Sequence, residues 1–288
     1  MDDLMTIRFW GVRGSLASPG EDTVGVGGNT SCVEVRCGRE RFVFDAGTGI
    51  RGLGAAWAKE GPVDATLILS HLHWDHIQGL PFFGPLYAPS TRLRIVGAGT
   101  PELGVREALA RQMRPPTFPV VWEDLASQHE YRAVRHGQRI RLGEGVELRA
   151  ARLNHPGGGV TAYRLSWRGR SVVYATDTEH YACVDPVLRD LAAGCDVLIY
   201  DSQYTAAEYA GEVGPPRVGW GHSTWEAGVE LARAAGVGRY VLFHHDPTRD
   251  DAGVAALEGL AQGAFPTSMA AREGMELELE AARSERAA

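Results

Sequence analysis

Six consecutive residues, His71-Leu72-His73-Trp74-Asp75-His76, carry four side chains able to bind a transition metal, and they directly follow the apolar run Ala65-Thr66-Leu67-Ile68-Leu69. An extended chain turns alternate side chains to one face, which predicts that His71, His73 and Asp75 converge on one pocket and that His76 joins once the backbone curves. Imidazoles with a carboxylate suit Zn²⁺ or a similar borderline divalent cation. One histidine in such a stretch reads most simply as a polar loop residue. Four ligand types at this spacing, at a strand end, read as half of a two-metal hydrolase site.

The elements that must position this cluster are mostly short β-type runs. Thr6–Trp10, Cys32–Arg36 and Arg41–Asp45 cluster β-branched and aromatic residues between glycine-rich turns and predict neighbouring strands. Ile50–Lys59 places Leu53, Ala56 and Trp57 at helical spacing, Ala65–Leu69 is a buried strand, and Pro101–Arg111 predicts a helix entered through Thr100 and Pro101. A second set of strands is expected at Tyr131–Val134, Val146–Ala150, Val160–Leu165 and Ser171–Ala175. Then the pattern becomes β-α-β, with strands at Asp196–Tyr200 and Arg239–Phe243 around a helix over Thr224–Ala235 capped by Ser223. Two strand-rich halves edged by helices predict two sheets packed face to face with helices outside.

Three further ligand types each follow a predicted strand. His155 precedes the bulk-free loop Pro156-Gly157-Gly158-Gly159, Asp177 closes Val172–Thr176, and His244 closes Tyr240–Phe243. Each alone has a bland reading as a loop residue or turn cap. Their repeated placement on loops held by a scaffold is where functional residues are expected.

Length and composition bound the rest. The chain has 288 residues, 44% of them hydrophobic, enough for a substantial core, and we read 1–288 as one domain with a lid over segment 112–128 and a tail over 280–288. Met1-Asp2-Asp3-Leu4 lacks a basic region before an apolar stretch, and no run reaches membrane-spanning length, which predicts a soluble cytoplasmic protein. Cys32, Cys37, Cys183 and Cys195 form no Cys-x-x-Cys pair and are expected as reduced, buried thiols. A formal charge of −7 opposes attraction to a long nucleic-acid backbone and favours a small substrate.

Taken together, these residues resemble the metallo-β-lactamase superfamily. The likeness is carried by Asp45-Ala46-Gly47-Thr48-Gly49, the His-x-His-x-Asp-His cluster, His155, Asp177 in Ala175-Thr176-Asp177-Thr178, and His244. It implies an α/β (α+β) fold, a four-layer αββα sandwich with the metal site at one edge between the sheets. Within the superfamily the chain is most similar to the phosphodiesterase branch, which includes tRNA 3′-end processing endonucleases and small-molecule or cyclic-nucleotide phosphodiesterases. Asp177 stands where zinc β-lactamases carry a cysteine, and Gly221-His222-Ser223-Thr224 resembles the His-Ser-Thr element of those phosphodiesterases.

The resemblance implies that His71, His73 and His155 bind one metal, that Asp75, His76 and His244 bind the second, and that Asp177 bridges them. His245 is the rival for the last position, with a substrate-contact reading otherwise. Asp201 and Asp246 are candidates to hold histidine N–H groups, against the simpler reading of surface acids. Two divalent ions, Zn²⁺ with Mn²⁺ or Fe as alternatives, would provide a bridging hydroxide for attack on a phosphodiester. Asp75 and His222 are the catalytic candidates, His222 contacting a phosphoryl oxygen or protonating the leaving alkoxide. Its bland reading is a histidine at a helix start.

The sequence has no counterpart of the long tRNA-binding arm, so the expectation is a small or cyclic-nucleotide-type phosphodiester, no long nucleic acid and no membrane. The resemblance is compatible with a homodimer. The competing readings are a lactone or thioester hydrolase on the same site, and a non-catalytic metal-binding or redox-sensing protein on the same fold. Trp74, Phe82, Phe83, Tyr204 and Trp220 are candidates to stack on a substrate ring against a reading as packing; Arg13, Asn29 and Thr30 either reach the site edge or shape turns.

Overall fold

Strict alternation of buried and half-buried side chains along β1 (Leu4–Gly11) marks a strand packed on one face. In the computed structural model, which describes residues 3–99 and 103–282, it sits in a seven-stranded sheet. The chain continues through β2 (Cys32–Cys37), β3 (Glu40–Phe44), α1 (Ile50–Glu60), β4 (Asp64–Leu69), the one-turn α2 (Trp74–Ile77), β5 (Arg92–Gly97), α3 (Val105–Gln112) and β6 (Gln128–Ala133). The order of this sheet is β14-β1-β2-β3-β4-β5-β6, where β14 (Glu276–Glu280) returns from the far end of the chain.

The second sheet is built from β7 (Arg139–Gly143), β8 (Val146–Leu153), β9 (Val160–Trp167), β10 (Arg170–Ala175), β11 (Val197–Asp201), β12 (Arg239–Phe243) and β13 (Ser268–Ala270). It holds them in the order β13-β12-β11-β10-β9-β8-β7. Between its strands lie α4 (Pro186–Ala192), α5 (Ala206–Ala210), α6 (Trp225–Ala235) and α7 (Asp251–Ala264). Each sheet joins an antiparallel meander to parallel strands: β3, β4, β5 and β6 in the first, β10, β11, β12 and β13 in the second. Crossover helices cover the outer faces, as parallel strands require.

The core lies between the sheets. Ile7, Phe9, Val35 and Phe44 of the first meet Leu148, Tyr163, Leu165 and Tyr174 of the second, with Phe44 and Tyr174 stacked at 5.0 Å between centroids. A second cluster packs Leu53 and Trp57 of α1 and Leu109 of α3 on the outward residues Val43, Ala65, Leu67 and Ile95. These are the αββα layers.

Three sequence expectations shift. The helix expected over Pro101–Arg111 begins at Val105, and its expected start at Thr100 and Pro101 lies outside the described residues. The helix after His222 begins at Trp225 and is capped by Thr224, whose hydroxyl accepts from Ala227 N at 3.2 Å; Ser223 instead pairs with Tyr200. Cys32, Cys37 and Cys195 are buried free thiols, but Cys183 is exposed. In segment 112–128, Met113 and Trp122 are buried, Trp122 Nε1 donates to Tyr131, and Phe118 meets Phe82 edge-on at 5.7 Å. Of segment 280–288, residues 283–288 lie outside the described residues. Among the described residues no helix is long and apolar enough to cross a membrane.

Candidate metal centre

The strands end at a common edge, and their ends supply the site. β4 stops at Leu69, so His71 and His73 lie on the loop that follows, and the chain then turns into α2. Asp75 and His76 therefore come from a helical turn rather than from the extended chain that alternation suggested, because one turn of helix redirects adjacent side chains to the same cavity. His155 follows β8, Asp177 follows β10 and His244 follows β12.

These seven side chains form two adjoining groups. In the first, His155 Nε2 is 3.0 Å from His73 Nδ1, and Asp177 Oδ1 lies 3.8 Å from His155 Nε2 and 3.9 Å from His71 Nε2. In the second, Asp75 Oδ2 and Asp177 Oδ2 each lie 3.1 Å from His76 Nε2, and 3.3 and 3.2 Å from His244 Nε2. Ligands about 2.0–2.1 Å from a tetrahedral Zn²⁺ are separated by roughly 3.3 Å, so the second group has the edges of such a shell. Asp177 sends one oxygen to each group.

The donor atoms fit a cation on chemical grounds as well. His71 Nε2 is buried and has no hydrogen-bond partner, a state that costs about 1–3 kcal/mol unless something accepts its lone pair. Burial, aided for His71 by neighbouring imidazoles, lowers His71, His73 and His155 below the ordinary histidine value, which leaves neutral nitrogens ready to coordinate. Burial works against the charge on His76, yet Asp177, Asp75 and Asp45 outweigh it and hold His76 well above the ordinary value. Burial likewise raises Asp177, but His244 and His76 prevail and hold it well below the carboxylate range. The carboxylates demand a positive charge here, and divalent ions would provide it.

The outer nitrogens of four of these histidines are tied down. His76 Nδ1–H donates to Asp45 Oδ2 at 2.7 Å, His155 Nδ1–H to the Gly221 carbonyl at 2.8 Å, and His244 Nδ1–H to Gln203 Oε1 at 3.0 Å. His71 Nδ1–H reaches the Ser70 hydroxyl at 3.1 Å, which itself donates to Asp45 at 2.7 Å. Such partners fix the tautomer and aim the other nitrogen at a metal. Close approach requires glycine: a Cβ on Gly14 would stand 2.4 Å from His244 Nδ1, one on Gly221 2.4 Å from His155 Nδ1, and one on Gly157 2.8 Å from His73 Nε2.

Backbone strain concentrates here. Ser15, Asp45, Asp177 and His244 have φ values of 61°, 59°, 54° and 62°, a region disfavoured for side chains other than glycine and costing about 1–3 kcal/mol each. The strained Ser15 presents its N–H to Asp75 Oδ2 at 2.8 Å.

His222 lies beside the second group, its ring stacked on His244 at 5.0 Å. Its Nδ1–H donates to Asp201 Oδ2 at 2.9 Å. Burial opposes its charge, but Asp201 prevails, with Asp177 and Asp75 adding to it, and His222 is pushed up to about 9. Asp201 also accepts from the backbone N–H groups of Asp177, Gln203 and Ser223, so its oxygens are occupied by donors rather than free for a metal.

Other candidates fall elsewhere. His245 turns away and donates to the Ala271 carbonyl at 2.9 Å. Asp246 caps its own turn through Thr248. Arg13 is fully buried and donates to the carbonyls of Gly27, Asp246 and Arg249, while Asn29 pairs with Glu273 and Thr30 with Thr48, so these shape loops. Phe83 is in the core and Tyr204 is buried against His222, whereas Trp74, Phe82 and Trp220 are exposed. A cavity of about 420 Å³ opens beside His71 and His73, bounded by Gly157–Gly159, Arg152 and Gln112. The sequence reading assigned no role to Asp45, Ser70 or Gln203. Only Asp45 carried a signal, its place in the Asp-Ala-Gly-Thr-Gly run.

Comparison with known proteins identifies the family. Residues 40–245 match the family described as beta-lactamase superfamily domain. A ribonuclease Z of Mycobacterium sp. (strain KMS) is 29% identical over 255 residues, spanning 81% of this chain and 83% of that protein. The metallo-beta-lactamase fold protein YhfI from Bacillus subtilis superposes with a TM-score of 0.71 at 19% identity, covering 96% of this chain and 100% of that one. A diphosphatase from the PhnP family gives 0.70 at 18% identity, with 96% and 98% covered. The chain belongs to the beta-lactamase superfamily and is a metal-dependent hydrolase of the metallo-β-lactamase fold.

Proposed function

We propose that the protein is a phosphodiesterase acting on a small phosphodiester. His71, His73 and His155 would hold one divalent cation, Asp75, His76 and His244 would hold the second, and Asp177, with one oxygen toward each group, would serve both. The observation that carries this reading is the combination of a carboxylate reaching both groups with a buried His222–Asp201 pair at their border. Two cations bound there, Zn²⁺ by donor chemistry, would supply Lewis-acid stabilisation of phosphoryl charge and activation of water.

The chain's own groups do the rest. Asp75 accepts from Ser15 N–H and lies within reach of His76 and His244, which places its carboxylate to orient the attacking water's proton. His222, held through Nδ1 by Asp201, is placed to give a proton to the departing alkoxide. Neither role needs a protein nucleophile. The fixed dipoles need no rearrangement during reaction.

The net charge of −7 and the cavity of about 420 Å³ beside His73 favour a small substrate over a long polynucleotide. Four free cysteines support a reducing, cytoplasmic location. The likeness to ribonuclease Z favours RNA 3′-end cleavage as the second reading. A panel of bis(p-nitrophenyl) phosphate, a cyclic nucleotide, a lactone, a thioester and a 3′-extended tRNA separates them. Turnover of the small diesters with none of the tRNA supports the proposal; tRNA cleavage, or lactone or thioester turnover alone, rejects it.

A further inference from the structure

We propose that Arg217 is the docking group for a second phosphate on the substrate, one beyond the scissile phosphodiester. The inference rests on the phosphodiesterase reading and concerns which diesters the same site takes. Arg217 Cζ lies 4.5 Å from the centroid of Trp220 and 5.4 Å from that of Tyr204. Tyr204 is buried and its ring meets His222 edge-on at 5.9 Å. The guanidinium is thus one ring away from the proposed proton donor.

Three other arginines lie over aromatic rings, and each has a carboxylate: Arg8 over Trp10 reaches Glu276, Arg41 over Trp57 reaches Glu60, and Arg168 over Trp167 reaches Asp3. Arg217 has none among the described residues. Its Nε is buried without a hydrogen-bond partner, while the residue as a whole is half-buried. In a chain with 36 acidic and 29 basic residues, an unpaired guanidinium at the border of the site is against the general trend.

The loop that carries it is fixed from beneath. Arg217 N–H donates to the Tyr209 carbonyl at 3.1 Å, Trp220 N–H donates to the Arg217 carbonyl at 3.0 Å, and Gly219 N–H donates to the buried Glu179 at 2.7 Å. The rings orient the guanidinium plane and leave its charge unspent, so little ordering is needed when an anion arrives. A planar fork of N–H donors matches a phosphate better than a point charge does.

Calorimetric binding of thymidine 5′-monophosphate and thymidine 3′,5′-bisphosphate to the metal-loaded protein tests this without turnover. The wild type should bind the bisphosphate at least about tenfold more tightly. Arg217→Gln should bring the ratio close to one, and Arg217→Lys should retain part of it, with metal content and circular dichroism matching the wild type. No preference in the wild type, or an undiminished preference in Arg217→Gln, overturns the proposal. Should Arg217→Gln fail to fold, a Lys variant that keeps the full preference overturns it as well. Hydrolysis of bis(p-nitrophenyl) phosphate by the wild type is read separately: its absence sinks the phosphodiesterase reading, while its presence with no bisphosphate preference sinks only the role of Arg217.

Discussion

Asp45 and His76 share a 2.7 Å hydrogen bond at a point where neither side chain is reached by solvent. The same Asp45 oxygen accepts from the Tyr174 and Ser70 hydroxyls, each at 2.7 Å, and Ser70 passes the contact on to His71. One carboxylate therefore aims a ligand of each proposed metal. Asp45→Asn replaces an acceptor by a donor facing His76, and should weaken binding of the second cation by about 10–100-fold. Competition with a chromogenic chelator measures it; unchanged affinity and stoichiometry would remove Asp45 from the site's machinery.

Asp177 offers a sharper test because its two oxygens divide between the groups. Its backbone sits at φ 54°, which asparagine tolerates better than alanine. Asp177→Asn should fold and should reduce bound metal from two towards one, with turnover abolished; Asp177→Ala should do the same with added loss of stability. Elemental analysis decides, and two metals retained in both variants would reject the bridge.

For His222 the expectation separates chemistry from metal binding. His222→Ala should lower phosphodiester turnover by about 10²–10⁴-fold, the range for loss of a general acid, and leave both metals in place. A leaving group that needs no proton, such as p-nitrophenolate, should suffer less than an alkyl alcohol. Equal losses for both would argue against proton donation.

Much of this site is legible in the sequence because its parts are local. The His-x-His-x-Asp-His run declares its ligand types in one window, and β12 is bounded as expected at Arg239–Phe243. What is not legible depends on tertiary contacts. Asp201 and Asp246 read alike as candidates to hold a histidine N–H, and only the packing of β11 against the loop at His222 singles out Asp201 as the acceptor of four donors. Ser15 is silent in sequence, since its contribution is a backbone N–H aimed by a positive φ. The short α2 escaped because four residues are too few to show helical periodicity.

Metal removal should register as lost stability. A ligand that binds only the folded state stabilises it by about 2.7 kcal/mol at a hundredfold excess over its dissociation constant. For a chain of this size each kcal/mol moves the melting midpoint by about 2–4 °C, so chelation should lower the midpoint by roughly 5–10 °C. Restoring Zn²⁺ should recover it. A midpoint indifferent to chelator would contradict metal-linked folding at this site.

The His222–Asp201 pair makes a prediction of opposite pH sense to acid denaturation. In the metal-free protein His222 is raised from the ordinary 6.5 to about 9, burial being outweighed chiefly by Asp201. The folded protein therefore binds this proton more tightly than the unfolded chain does. The resulting stabilisation is fully present below pH 6.5 and is lost as pH rises through about 9. Comparing wild type with His222→Gln, both metal-free, across pH 6–10 isolates this contribution from groups common to both. The stability difference should shrink with rising pH, and NMR of the imidazole should follow the same titration. A difference that is flat or grows over that range would mean that His222 is neutral in the metal-free fold and that Asp201 does not hold it charged.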